Sequence, residues 1–123
     1  MANDKKYSIS VIIPTCNSSD SFQKILSSVV NQTRNDVEII VVDESVKENL
    51  ESNKKCILLT NDERIRHIIR RDKKGVDYAL KVGIKNSIGE SIALLYNKEL
   101  WKNGKEKDGL LDIFVSKLKG DLK

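Results

Sequence analysis

The sequence has 123 residues, 39% hydrophobic and 33% charged, with one proline, six glycines and a net charge of +4. That length suits a single domain over residues 1–123, able to bury about two thirds of its surface, and the composition excludes collagen-like and Pro/Gly-rich disordered chains. No apolar run approaches the roughly 20 residues of a transmembrane helix, and the opening MANDKKYS lacks the apolar stretch of a secretory signal. No transmembrane segment and a cytoplasmic location are therefore expected.

Ser8 to Ile13 (SISVII) is β-branched and nearly continuous, so it reads as a strand buried on both faces and ended by Pro14. Ser18, Ser19 and Asp20 offer helix caps, and Phe22, Ile25, Leu26, Val29 and Val30 fall on one helical stripe. Val37 to Val42 (VEIIVV) is a second buried strand, ending at Asp43. Val46 to Leu59 opens like a helix, but its CILL run suits helix or strand. Arg64 to Ile69 alternates apolar and polar residues, as a strand near a sheet edge does. Val76, Ala79, Leu80, Gly83 and Ile84 repeat the helical stripe, and Glu90 to Leu95 forms a fourth strand. Asn103 to Lys107 reads as a charged loop. A last helix, capped by Asp108, would carry Leu110, Leu111, Phe114, Val115 and Leu118 on one side.

Alternating buried strands and amphipathic helices predict an α/β fold, a Rossmann-like parallel sheet of about four strands with flanking helices. Ligands of such sheets bind at the carboxyl ends of the strands. Those ends fall at Pro14 to Asn17, Asp43 to Ser45, Arg70 to Gly75 and Tyr96 to Glu99. Neither GxGxxG after the first strand nor a GxxxxGK[ST] loop is present, which excludes the common dinucleotide and P-loop fingerprints.

Charge is uneven. Residues 1–61 carry a net −1 and residues 62–123 a net +5, with Arg64, Arg66, Arg70, Arg71, Lys73 and Lys74 the densest basic stretch. It reads first as a solvated face. Only six aromatics and no nucleic-acid motif accompany it, so no DNA or RNA partner is expected. Cys16 and Cys56 lie in no metal-binding spacing and read as small buried hydrophobes in a reducing compartment. The single His67, inside RIRHII, has no nucleophile at motif spacing and no catalytic role is expected of it.

SVIIPTCN, SVVNQT and VEIIVVDES resemble the family 2 glycosyltransferases of the GT-A fold, which usually read SVIIPTYN, SVLNQT and IIVVDDGS. The stretch RIRHIIRRDKKGVDYALKVGIKNSIGESIALL resembles the family segment that leads to its metal motif, and Leu100–Trp101 matches the usual DDLW. Similarity runs from about Ser8 to about Trp101. The resemblance implies a nucleotide-sugar site in this part of the chain. It also implies later strands and a catalytic base, which have no counterpart in these 123 residues. Candidate nucleotide-binding residues are then Pro14, Thr15, Asn17, Asp43, Glu44, Ser45, Arg71 and Gly75, with Asp43 and Glu44 as the acidic pair that reads uracil and ribose.

Departures from the family pattern fall on its chemistry. The family's DxD position is Tyr96, Asn97 and Lys98 here. Mg²⁺ and Mn²⁺ want charged oxygen ligands. No metal site, no cofactor and no catalytic residue are therefore expected. Cys16 replaces a tyrosine, and Leu80 and Lys81 stand where Arg and Asn are frequent. The leading expectation is a truncated, degenerate donor half-domain, inactive alone, that retains weak binding of a nucleotide of the UDP-sugar type. The alternatives are a transferase completed by a partner chain and a non-catalytic scaffold. With later strands missing, an open fourth strand or the apolar last helix predicts a homodimer.

Overall fold

The computed structural model describes residues 7–16, 19–31, 35–72, 75–96 and 112–116, with residues 19–21 and 112–116 described by their backbone. The elements are β1 (Ile9–Thr15), α1 (Ser19–Val30), β2 (Val37–Asp43), α2 (Lys47–Thr60), β3 (Ile65–Ile69), α3 (Val76–Asn86), β4 (Ser91–Tyr96) and β5 (Asp112–Ser116). They build one sheet in the order β3-β2-β1-β4-β5. The first four strands are parallel, as the alternation of strands and helices predicts, and β5 is antiparallel to β4.

Side chains alternate across the sheet, which divides the core in two. Val11, Ile13, Val37, Ile39 and Val41 face Phe22, Ile25, Leu26 and Val29 of α1. Ile12, Ile40, Val42 and Ile92 face Ala79 of α3. Each large apolar side chain fully buried in this way contributes about 1.5–3 kcal/mol. The stripe read from residues 22–30 is the face that α1 buries.

Two expectations are corrected, and one alternative left open is settled. Pro14 does not end the first strand but continues it, in register with Val42. The Thr15 carbonyl accepts from the Glu44 N–H across β1 and β2. Odd residues of β1 thus bond to β2 and even ones to β4. Pairing with β4 extends only to Ile12, opposite Leu94, so the N–H that Pro14 lacks has no ladder bond to make. The ambiguous stretch after Val46 is helical to Thr60, closed by Asn61 in the left-handed conformation at φ 51°, whose N–H donates to the Leu58 carbonyl.

The second correction concerns the last helix. Its centre, residues 112–116, is β5, paired with β4 from Ile92↔Ser116 to Tyr96↔Asp112. An open edge on β4 would leave N–H and C=O groups unmet, and the Ile113-Phe114-Val115 run has strand propensity. β4 is therefore an inner strand, and neither of the two surfaces on which a homodimer was expected exists in that form. Among the described residues no helix is long and apolar enough to cross a membrane.

Candidate functional site

The carboxyl ends of β1, β2 and β3 meet where the sequence places its candidate residues. Thr15, Asp43 and Glu44 are all buried there. The Cys16 thiol sits 3.8 Å from the Glu44 carbonyl, and the Arg70 N–H donates to the Asp43 carbonyl at 2.8 Å. Asn17, Asn97 and Lys98 lie outside the described residues.

Asp43 and Glu44 follow one another and face opposite sides of the sheet. Asp43 turns toward α2. Its Oδ1 accepts the Ser45 N–H at 2.9 Å, closing a short turn. Its Oδ2 accepts from Asn53 Nδ2 at 3.1 Å and lies 2.9 Å from His67 Nε2. Asn53 Nδ2 is also 3.2 Å from Ser45 Oγ. Burial alone would raise the Asp43 pKa, but the hydrogen bonds from His67, Ser45 and Asn53 outweigh it and hold the carboxyl below its usual 3.8. An ionised carboxylate only accepts, so His67 Nε2 carries the proton of this contact. Both oxygens of Asp43, which is wholly buried, are thus engaged within the protein.

Glu44 turns toward α3. Its Oε1 accepts the N–H of Gly75, the residue that caps α3, at 3.1 Å. Its Oε2 is buried and has no hydrogen-bond partner among the described residues. Gly75 adopts φ 94° and ψ 175°, a conformation open essentially to glycine alone. Among the described residues nothing lies within 4 Å of where its Cβ would be. An acceptor unpartnered among the described residues thus adjoins a position without side-chain atoms.

The β3–α3 connection carries the basic residues. Arg70 is held twice, by Asp72 at 2.9 Å and by Tyr78, whose hydroxyl it meets at 2.8 Å and whose ring lies 5.1 Å from the guanidinium. The Asp72 carboxylate raises the Arg70 pKa further. Arg71 is exposed. Of the wider basic stretch, Arg64 pairs with Asp62 and Arg66 with Glu38, so these two belong to the framework of the sheet.

Among the described residues, the end of β4 offers no charged oxygen donor for a hard divalent cation. Tyr96 supplies a phenol and is buried. Asp43 is spent on internal donors. Among the described residues no group of three or more His, Cys, Asp or Glu side chains could hold a metal ion.

Sequence reasoning missed two residues of this site, His67 and Asn53. A signal was present for each. His67 interrupts the apolar face of Ile65 and Ile69, and Asn53 falls on the stripe of Val46, Leu50 and Ile57. A polar side chain on each of two apolar stripes calls for a polar partner where it is buried.

The model of the family described as Glycosyl transferase family 2 matches residues 10–96. An uncharacterised glycosyltransferase of Rickettsia conorii is 31% identical over 93 residues, covering 76% of this chain and 15% of that protein. The UDP-Glc:alpha-D-GlcNAc-diphosphoundecaprenol beta-1,3-glucosyltransferase of Escherichia coli is 28% identical over 95 residues, covering 77% of this chain and 36% of that protein. The chain thus spans a minor part of the curated relatives it matches. Among solved structures, S. aureus TarS 1–349 in complex with UDP-GlcNAc is 26% identical with a TM-score of 0.61, covering 79% of this chain and 30% of that one. A mannosyltransferase from Pyrobaculum calidifontis, in complex with GDP-Man and Mn²⁺, has the same fold at 20% identity and a TM-score of 0.66, covering 76% and 28%.

Proposed function

Because the chain belongs to glycosyltransferase family 2, we propose that it binds the nucleotide of a UDP-sugar at the ends of β1, β2 and β3, without a metal ion and without transferring the sugar by itself. The observation that carries this reading is the buried Glu44 Oε2 beside Gly75, which has no partner among the described residues. A buried acceptor left unmet costs about 1–3 kcal/mol. A ligand N–H or O–H would restore that loss. Uracil presents an N–H and ribose presents hydroxyls. Gly75, with no side chain, leaves room for them.

Within this reading Glu44 is the acceptor for the nucleoside, and Asp43 holds the turn that presents it. Thr15 and Pro14 form the β1 side, with Asn17 following in sequence, Ser45 forms the turn, and the exposed Arg71 offers its charge to the diphosphate. Uridine is favoured because the matching structures at 25–26% identity are those of TarS, which were solved with UDP and with UDP-GlcNAc. Tyr96 in place of a carboxylate supports binding that is independent of divalent cations.

Calorimetric titration with UDP, once in EDTA and once with Mn²⁺, tests the proposal. Equal affinity in both supports it. Binding that requires Mn²⁺ would identify a metal-dependent site, and no binding in either would leave a scaffold.

A further inference from the structure

The Asp43 carboxylate is held more firmly than a turn requires. An exposed aspartate suffices to accept the N–H two residues on. Here the residue is fully buried, and two further donors, from α2 and β3, converge on Oδ2. Asn53 is itself buried and leaves its Oδ1 unpartnered among the described residues. Buried charge of this kind is a weak source of stability, and apolar side chains of like volume often serve as well or better. What it does supply is fixed geometry.

That geometry bears on Glu44. The backbone of residues 43 and 44 is tied to β3 through the Arg70 N–H and to β1 through the Thr15 carbonyl. The turn at Ser45 follows directly, and Asp43 Oδ1 accepts its N–H. Loss of a donor on Oδ2 would loosen the carboxylate and, through the turn, the seat of Glu44 on the Gly75 N–H. We infer that His67 and Asn53 are positioning residues, which act through Asp43 to keep Glu44 Oε2 in place for the ligand. Neither touches the nucleotide. The inference rests on the nucleotide-binding reading for its purpose, but its geometry can be tested apart from it.

The experiment compares the parent with His67→Phe, which keeps a ring and loses the donor, and His67→Gln, whose amide can donate again. Two signals are followed, the affinity for UDP and the Gly75 amide resonance, which reports the bond to Glu44 Oε1 without any ligand. His67→Phe is expected to weaken UDP binding about tenfold and to shift the Gly75 resonance, and His67→Gln to restore both. Unchanged affinity and an unmoved Gly75 resonance in His67→Phe would overturn the inference while leaving nucleotide binding intact. Failure of His67→Gln to restore either signal would also overturn it, since packing alone would then explain the loss. A parent that does not bind UDP would defeat the nucleotide reading, and the Gly75 resonance would then decide the positioning role by itself. Should His67→Phe not fold, Asn53→Leu removes the other donor and is read by the same criteria.

Discussion

His67 Nε2 lies 2.9 Å from Asp43 Oδ2, joining the edge strand β3 to the end of β2 through a buried carboxylate. The contact has a consequence for stability against pH. Burial would raise the Asp43 pKa, yet the bonds from His67, Ser45 and Asn53 bring it below 3.8. A carboxyl whose folded pKa is depressed stabilises the fold at every pH above its unfolded value. That contribution is lost as pH falls through the folded value. Thermal melts of the parent should therefore drop more steeply than those of Asp43→Asn between about pH 5 and pH 3. Parallel curves for the two proteins would contradict this assignment.

At the opposite ends of the strands, Glu38 gathers four elements of the fold. Its Oε2 accepts from Ser10 Oγ at 2.6 Å and from the Ile88 N–H at 3.0 Å, and its Oε1 accepts from Arg66 at 2.9 Å. Ser10 Oγ in turn accepts the Gly89 N–H. Removing Glu38 leaves buried donors unmet on β1 and on the α3–β4 connection. Glu38→Ala should cost about 3 kcal/mol in urea unfolding. A loss below about 0.5 kcal/mol, ordinary for a surface change, would show that the network relaxes without it.

Gly75 is required by its backbone alone. At φ 94° a side chain is strained, although among the described residues no atom lies within 4 Å to clash with it. Gly75→Ala should lower stability by about 1–3 kcal/mol. An unchanged midpoint would mean that the β3–α3 turn takes up another conformation at no cost.

Pairing with β5 covers the outer edge of β4. Deleting residues 112–123 should expose that edge and produce self-association that grows with concentration, detectable by light scattering at tens of micromolar. A shortened chain that stays monomeric and folded would show that β4 does not depend on β5 for cover.

The parallel sheet and the α1 and α3 stripes were legible because burial on a period of 2 or 3.6 leaves a direct trace in the sequence. The stripe Phe22, Ile25, Leu26 and Val29 is the buried face of α1. The segment around Phe114 was not legible. Its apolar residues suit a helical stripe, and only the unmet edge of β4, a feature distant in sequence, decides for a strand. At the site, Asp43 and Glu44 could be read as acids at the end of a strand. Their separation onto two faces depends on alternation continuing past the last residue of β2, and the capture of Asp43 depends on Asn53, ten residues on, and His67, 24 residues on.

The most direct test of the account is the affinity of UDP for the parent and for Glu44→Gln, measured by calorimetry in EDTA. The glutamine can still accept the Gly75 N–H through its carbonyl, while its amide replaces the free acceptor Oε2 with a donor. The parent should bind UDP without a divalent cation, and Glu44→Gln, with its fold intact by circular dichroism, should bind at least about tenfold more weakly. Equal affinity of the two proteins, or no binding by the parent, would contradict the placement of the nucleotide at Glu44.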